Sequence, residues 1–218
     1  MDELVKKSTG HKDPWRVFRI MAEFVDGFGT LSEIGPAVSI FGSARKMPQD
    51  DEYYKVAEQI AYLLVKKGFA VITGGGPGIM EAANRGAKTA GGTSVGLNIN
   101  ISTGQKPNKF VTKLLEFRYF FCRKVMFIKY GSAFIILPGG FGTLDEFFEA
   151  VTLIQTGRSD PFPVILVGKK YWQGLLKWLN STVKRYGNIK TEDLNIFQIV
   201  DTPEDVGKII DRFQKKVN

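Results

Sequence analysis

Ala133-Phe134-Ile135-Ile136-Leu137-Pro138-Gly139-Gly140-Phe141-Gly142-Thr143 opens with five apolar residues and ends in a glycine turn. Earlier in the chain, Phe69 to Thr73 runs into Gly74-Gly75-Gly76-Pro77-Gly78 in the same way. Each turn leads into a segment of helical period, Thr143 to Thr156 and Ile79 to Ala90. The apolar runs are continuous rather than alternating. That pattern belongs to strands buried on both faces, as in a parallel sheet covered by helices.

Working outward, the same alternation recurs. Ala37 to Phe41 ends in Gly42-Ser43, and a helix from about Glu52 to Lys67 closes at Gly68. Ser94 to Ile99 is a strand, and Phe110 to Phe117 is one with a weaker pattern. Arg118 to Tyr130 has helical spacing. Pro163 to Val167, a helix from about Tyr171 to Tyr186, Phe197 to Val200 and a helix from Pro203 to about Lys216 complete the chain. Repeated βα units predict a doubly wound parallel sheet with helices on both faces, and ligands beyond the carboxyl ends of the strands. Ahead of these units, Asp13-Pro14 reads as an N-cap and first helical residue. Trp15, Phe18, Met21, Val25 and Phe28 then follow at three- and four-residue steps. They predict a helical extension over about 13–30, its aromatic stripe packing on the domain or on a second subunit. No repeat, low-complexity segment or linker divides residues 1–218, which read as one domain.

Composition narrows the function. The 218 residues carry 30 Lys+Arg against 22 Asp+Glu, a net charge of +8, which favours anionic partners. The excess is spread in pairs such as Lys66-Lys67 and Lys169-Lys170, a pattern of solvated faces that argues against a nucleic-acid patch. No apolar run approaches the ~20 residues needed to span a bilayer. The charged start, Met1 to Lys12, lacks a signal peptide's apolar run. One cysteine, Cys122, permits no intramolecular disulfide. The expectation is a cytoplasmic protein without membrane contact.

Neither glycine turn is a GxxxxGK[ST] loop or a GxGxxG fingerprint, so the ATPase and dinucleotide patterns both fail. Anion binding remains: glycines admit backbone N–H groups to an anion, and the following helix presents its positive end. A plain tight turn explains the first cluster equally well. Two such turns in one open sheet converge on a single cleft if their strands are neighbours. In the second turn Thr143 offers a hydroxyl, and Glu146 lies one helical turn later, within reach of a ribose beside a bound phosphate. On spacing alone, Thr143-x-x-Glu146 reads as a capping box. Arg123 and Lys124 sit in an otherwise aromatic and apolar helix. They face solvent, or they hold a phosphate or pair with Glu146.

Taken together, Pro138-Gly139-Gly140-Phe141-Gly142-Thr143-x-x-Glu146 resembles the PGGxGTxxE signature of the LONELY GUY proteins. Arg123-Lys124 stands where that family has its Arg-Lys pair. Gly74-Gly75-Gly76-Pro77-Gly78-Ile79-Met80 resembles the companion GGGxxGxM motif. The resemblance covers roughly Val38 to Val167. It implies a Rossmann-like fold, a homodimer or higher homo-oligomer, and hydrolysis of nucleoside 5′-monophosphates to free base and ribose 5-phosphate. Members have often been labelled lysine decarboxylases, yet no feature of this sequence would place a pyridoxal phosphate. Glu81, where shorter plant-like members often have glycine, and the extension before Val38 resemble a longer bacterial subgroup. AMP is then as fitting a substrate as a cytokinin riboside monophosphate.

By this resemblance Glu146 serves the ribose or the attacking water, with Arg123 as its electrostatic partner. The turn of Gly139, Gly140, Gly142 and Thr143, with Lys124, holds the 5′-phosphate. Gly75, Gly76, Gly78 and Ser43 line the substrate, and Glu81 is a second carboxylate candidate. No cofactor and no metal are expected: His11 is the single histidine and lies outside every motif. Two rivals use the same scaffold, a non-catalytic carrier of a phosphorylated ligand such as molybdenum cofactor and a binder of single-stranded nucleic acid. A carboxylate beside the phosphate turn favours the enzyme.

Overall fold

In the computed structural model, residues 13–100 and 106–217 are described. Its strands are β1 (Ala37–Phe41), β2 (Ala70–Thr73), β3 (Ser94–Ile99), β4 (Lys113–Phe117), β5 (Gly131–Ile136), β6 (Val164–Val167) and β7 (Phe197–Val200). The helices are α1 (Asp13–Leu31), α2 (Glu52–Lys66), α3 (Ile79–Thr89), α4 (Phe120–Tyr130), α5 (Phe141–Gln155), α6 (Lys169–Trp178) and α7 (Pro203–Val217). All seven strands are parallel, in the order β4-β3-β2-β1-β5-β6-β7. The chain winds outward from β1 to β4, then returns to lay β5 on the other side of β1. The β1/β5 border is therefore the topological switch point, where doubly wound sheets place their ligands.

Burial follows position in the sheet. β1, β2, β3 and β6 are buried along their whole length. The edge strand β4 alternates instead, with Leu115 and Phe117 inward and Leu114 and Glu116 exposed. That is why its apolar pattern was weak in the sequence. Phe41, Ile72, Phe134 and Leu166 point to one face, where Met126 of α4, Phe147 of α5 and Trp172 of α6 cover them. Val38, Ile40, Val71 and Ile135 point to the other, under Leu64 of α2, Ala83 of α3 and Ile209 of α7.

Several helix boundaries differ from the sequence reading. α4 starts at Phe120 and α5 at Phe141. α6 stops at Trp178, where the chain passes into a π-helical turn, Leu179–Val183.

The extension forms a helix, but of its stripe only Phe28 meets another element among the described residues, the ring of Tyr130. Trp15, Phe18, Met21 and Val25 are 55–70% exposed. The opposite face packs inward through Ile20, Phe24 and Leu31. There Gly27 lets α1 approach α4 so closely that a Cβ would lie 2.7 Å from the Met126 sulfur. Glu23 of α1 also accepts the amides of Arg118 at 2.8 Å and Tyr119 at 3.3 Å. Those are donors that the start of α4 would otherwise leave orphaned. The extension thus braces the helix that carries Arg123 and Lys124. His11 lies outside the described residues.

A buried polar network holds the first glycine turn. The Thr73 hydroxyl donates to Asn84 Oδ1 at 2.7 Å, and Asn84 Nδ2 donates to Ser94 Oγ at 2.8 Å. Asn108 Nδ2 donates to the carbonyls of Gly75 at 3.0 Å and Gly76 at 2.9 Å. Asn84→Ala would strand several fully buried polar groups, each costing about 1–3 kcal/mol. The expected outcome is a fall in melting temperature of roughly 5–10 °C for a chain of this size. An unchanged melting temperature would show that Asn84 does not organise the turn.

Candidate active site

The two glycine turns follow β2 and β5, which are not neighbours: β1 lies between them. The turn after β1 is what joins them. The Ser43 amide donates to Pro138 O of the second turn at 2.9 Å, and Ser43 O accepts from Ile79 N, just past the first turn, at 3.0 Å. Gly78, at φ +71°, has no room for a side chain against the carbonyls of Ser43 and Arg45. Gly42 likewise leaves no room beside Ile79. One residue, Ser43, thus links all three turns around a cavity of about 410 Å³. Its polar wall is Ser43, Arg45, Arg123, Thr143 and Glu146, and its apolar wall includes Met80, Ile99, Phe120 and Phe127.

At the second turn, Gly140 caps α5 and no side chain caps it. The helix begins two residues before Thr143, so the Thr143-x-x-Glu146 capping box does not form. Thr143 and Glu146 stand inside the first turns, buried, and both line the cavity. Gly139 is packed against Gly42 and Thr143, and its carbonyl accepts the Tyr171 hydroxyl at 2.6 Å. Gly140 and Gly142 are different. Neither has a positive φ, and a Cβ on either would meet nothing within 4 Å. Neither backbone strain nor packing requires glycine there. A side chain would project over the helix N-terminus, where the backbone amides lack intrahelical partners.

Glu146 is 5% exposed. Burial is the main influence on its carboxyl and raises it from 4.5 to about 7; the charges of Glu149 and Asp145 add to this, while Lys124 and Arg123 oppose it. Among the described residues its Oε2 has no hydrogen-bond partner, and neither does Arg123 Nε, also buried. The Arg123 guanidinium lies over the rings of Phe120 at 5.2 Å and Phe127 at 5.8 Å. Burial lowers its pKa, against the pull of Glu146 and Asp145. The charge of Arg123 acts on Glu146, though the ion pair within 4 Å is made by another cation. The nearest cation to Glu146 is Lys124, at 3.7 Å, and Lys124 is shared with Asp145 at 3.0 Å and Glu149 at 2.7 Å.

The structure therefore brings Ser43, Arg123, Gly140, Gly142, Thr143 and Glu146 to one cavity. It does not bring the others there. Lys124 is turned into the carboxylates of α5, not toward a phosphate. Gly75 and Gly76 do not line the cavity, the Gly75 amide donating to Thr73 Oγ1 at 2.9 Å, and Gly78 packs under Ser43 and Arg45. Glu81 does not line the cavity; its neighbour Met80 does. Arg45 is an exposed cavity-lining cation that sequence reasoning missed, since its position past Gly42-Ser43 matched no motif. Asn108 and Tyr171 were missed for the same reason: each latches a turn that is remote in sequence.

No lysine among the described residues lines the cavity. Among the described residues no cluster of His, Cys, Asp or Glu is arranged to hold a metal ion, and no helix is long and apolar enough to cross a membrane.

Residues 80–210 match a protein family described as "Possible lysine decarboxylase". The chain is 40% identical over 82 residues to a bifunctional cytokinin biosynthesis protein of Fusarium pseudograminearum; the match spans 38% of this chain and only 17% of that protein. It is 28% identical over 161 residues to a cytokinin riboside 5′-monophosphate phosphoribohydrolase of Mycobacterium tuberculosis, covering 72% of this chain and 85% of that one. A solved molybdenum cofactor binding protein from Rippkaea orientalis superposes with a TM-score of 0.59 at 24% identity, over 82% of this chain and 96% of the other. That likeness speaks for the fold alone. The family match spans more than half of the chain and includes α4 and the second glycine turn. The chain belongs to this family, that of the LONELY GUY proteins.

Proposed function

We propose that the cavity hydrolyses the N-glycosidic bond of nucleoside 5′-monophosphates, AMP or a cytokinin riboside monophosphate, releasing free base and ribose 5-phosphate. The observation that carries this reading is the pair of orphaned polar atoms, Glu146 Oε2 and Arg123 Nε, in the wall of one cavity beside Gly140 and Gly142. An unpartnered buried carboxylate oxygen costs stability, and a catalytic role explains why it is kept. The names of the phosphoribohydrolase relatives support the same chemistry.

In this mechanism the 5′-phosphate lies over the start of α5, on its amides and the Thr143 hydroxyl, with the exposed Arg45 at the mouth. Holding that remote group places the ribose against Glu146. As the bond from C1′ to the base nitrogen breaks, positive charge builds on the ribose, and the Glu146 carboxylate stabilises it. Water adds to C1′ and gives its proton to Glu146, while the departing base takes up a proton from solvent. A carboxylate poised near neutrality suits this base role. Arg123 keeps part of the Glu146 population ionised despite burial and offers its Nε–H to a ligand oxygen or nitrogen. A homodimer or higher homo-oligomer belongs to the same reading, and the exposed stripe of α1 suits such an interface.

Glu146→Gln is expected to lower kcat by about 10²–10⁴-fold while nucleotide affinity stays within a few-fold. Near-normal turnover would remove Glu146 from the mechanism. Gly142→Ala separates the cradle from the fold. It is expected to keep or slightly raise the melting temperature, since nothing crowds that position and alanine favours the helix, and to raise KM by about tenfold, a loss of about 1.4 kcal/mol. An unchanged KM would place the phosphate elsewhere.

The ionised form of Glu146 is the active one, so kcat/KM is expected to rise with pH through a midpoint near 7. Stability runs the opposite way. The folded carboxyl sits above its ordinary value, so its contribution is full below about 4.5 and is lost as pH rises through about 7. Glu146→Gln is therefore expected to be the more stable protein at pH 8, by up to roughly 3 kcal/mol, and to lose that advantage at pH 4. Equal stabilities at pH 8 would contradict the buried charge.

A further inference from the structure

We propose that Glu149, which does not line the cavity, is a positioning residue: it anchors the Lys124 ammonium away from Glu146 and so leaves the Glu146 carboxylate free to exchange a proton with the cavity. The proposal rests on the nucleotide-hydrolase reading of the site only for its catalytic consequence. The geometry stands without it.

Lys124 Nζ meets three carboxylates, all on α5. It lies 2.7 Å from Glu149 Oε2, 3.0 Å from Asp145 Oδ2 and 3.7 Å from Glu146 Oε1. The first two are hydrogen-bond distances, and the third is beyond one. Glu149 lies three residues after Glu146 and four after Asp145, so the three carboxylates share one side of the helix. Lys124 reaches across from α4 between them. Its amine is only 16% exposed at the side chain, which makes its choice of partner consequential. Burial works against its charge, but the Glu149 hydrogen bond, the Glu146 charge and the Asp145 hydrogen bond outweigh that, and Lys124 stays protonated.

If this cation bonded directly to Glu146, it would hold that carboxylate ionised and occupy one of its oxygens. Glu149 prevents this by taking the shortest contact. The other charged groups around Glu146 are Arg123 from α4 and Asp145 from α5, with Arg45 across the cavity on the turn after β1. None of these can replace Glu149, because Arg123 and Arg45 are cations and Asp145 already holds its own share of Lys124.

The test is a ¹³C NMR titration of the Glu146 carboxyl in the full chain, read beside the pH dependence of kcat/KM on AMP. In Glu149→Gln, Lys124 is freed to move toward Glu146 and a neighbouring negative charge is lost. Both changes are expected to lower the Glu146 midpoint, by about one pH unit, and to carry the acid limb of kcat/KM down with it. Glu149→Ala is expected to do the same, which guards against a variant that fails to fold. In a Lys124→Met background, Glu149→Gln should shift the midpoint by less than half as much, because the cation it positioned is gone. A purely structural Glu149 would lower kcat at every pH and leave the midpoint in place. That result, or a shift of full size without Lys124, overturns the proposal. If the wild-type protein released no base, the hydrolase reading would fail while the NMR titration still decided the role of Glu149.

Discussion

Everything in the site depends on one close approach, that of the Ser43 peptide to the two glycine turns on either side of β1. Its amide is bound to Pro138 and its carbonyl to Ile79. These two hydrogen bonds tie the starts of α3 and α5 to each other, while Asn108 and Tyr171 latch each turn separately. Gly78 is needed because it meets the backbone of Ser43 and Arg45, Gly42 because it meets the Ile79 side chain, and Gly139 because it meets Thr143 and Gly42. The sheet supplies the reason that they meet here. With β1 at the centre and the winding direction reversing between β1 and β5, the crossover helices diverge and leave a crevice at the carboxyl ends.

Within that crevice, desolvation prevails over attraction at Glu146. Two cations lie near, yet the carboxyl still sits near 7, because burial and two neighbouring carboxylates outweigh them. A shift of that size corresponds to a few kcal/mol of stability given up at neutral pH, comparable to the loss of a core side chain. The surroundings sustain it: the central strands are covered on both faces, Phe120 and Phe127 flank Arg123, and Glu23 of α1 satisfies the start of α4. A braced helix on one side and a glycine-capped helix on the other keep the two charged walls apart.

The fold was legible because its strands are short, continuous apolar runs that end in glycine, a pattern that buried parallel strands impose directly. The edge strand β4 was faint, since one of its faces meets solvent. The site was legible as far as its motif reached: Glu146, Thr143, Gly140 and Gly142 share one turn and travel together in sequence. What failed was nonlocal. Spacing made Thr143 and Glu146 a capping box, because nothing local shows that the helix begins at Phe141. Lys124 was expected on a phosphate, but Glu149, one turn beyond the motif, claims it. Gly75 and Gly76 resembled a phosphate loop, but they do not line the cavity, and the Thr73 hydroxyl accepts the Gly75 amide. The outward stripe of α1 has helical period like any packed face, and periodicity does not say which side the fold takes.

The most direct measurement is incubation of the wild-type chain with AMP, other nucleoside 5′-monophosphates and the corresponding nucleosides, with base and ribose 5-phosphate quantified by chromatography. The expected result is equimolar base and ribose 5-phosphate from at least one monophosphate, and little or none from its nucleoside, which lacks the anchoring phosphate. Tight retention of a nucleotide with no base released would contradict hydrolysis and leave the cavity a carrier's binding site.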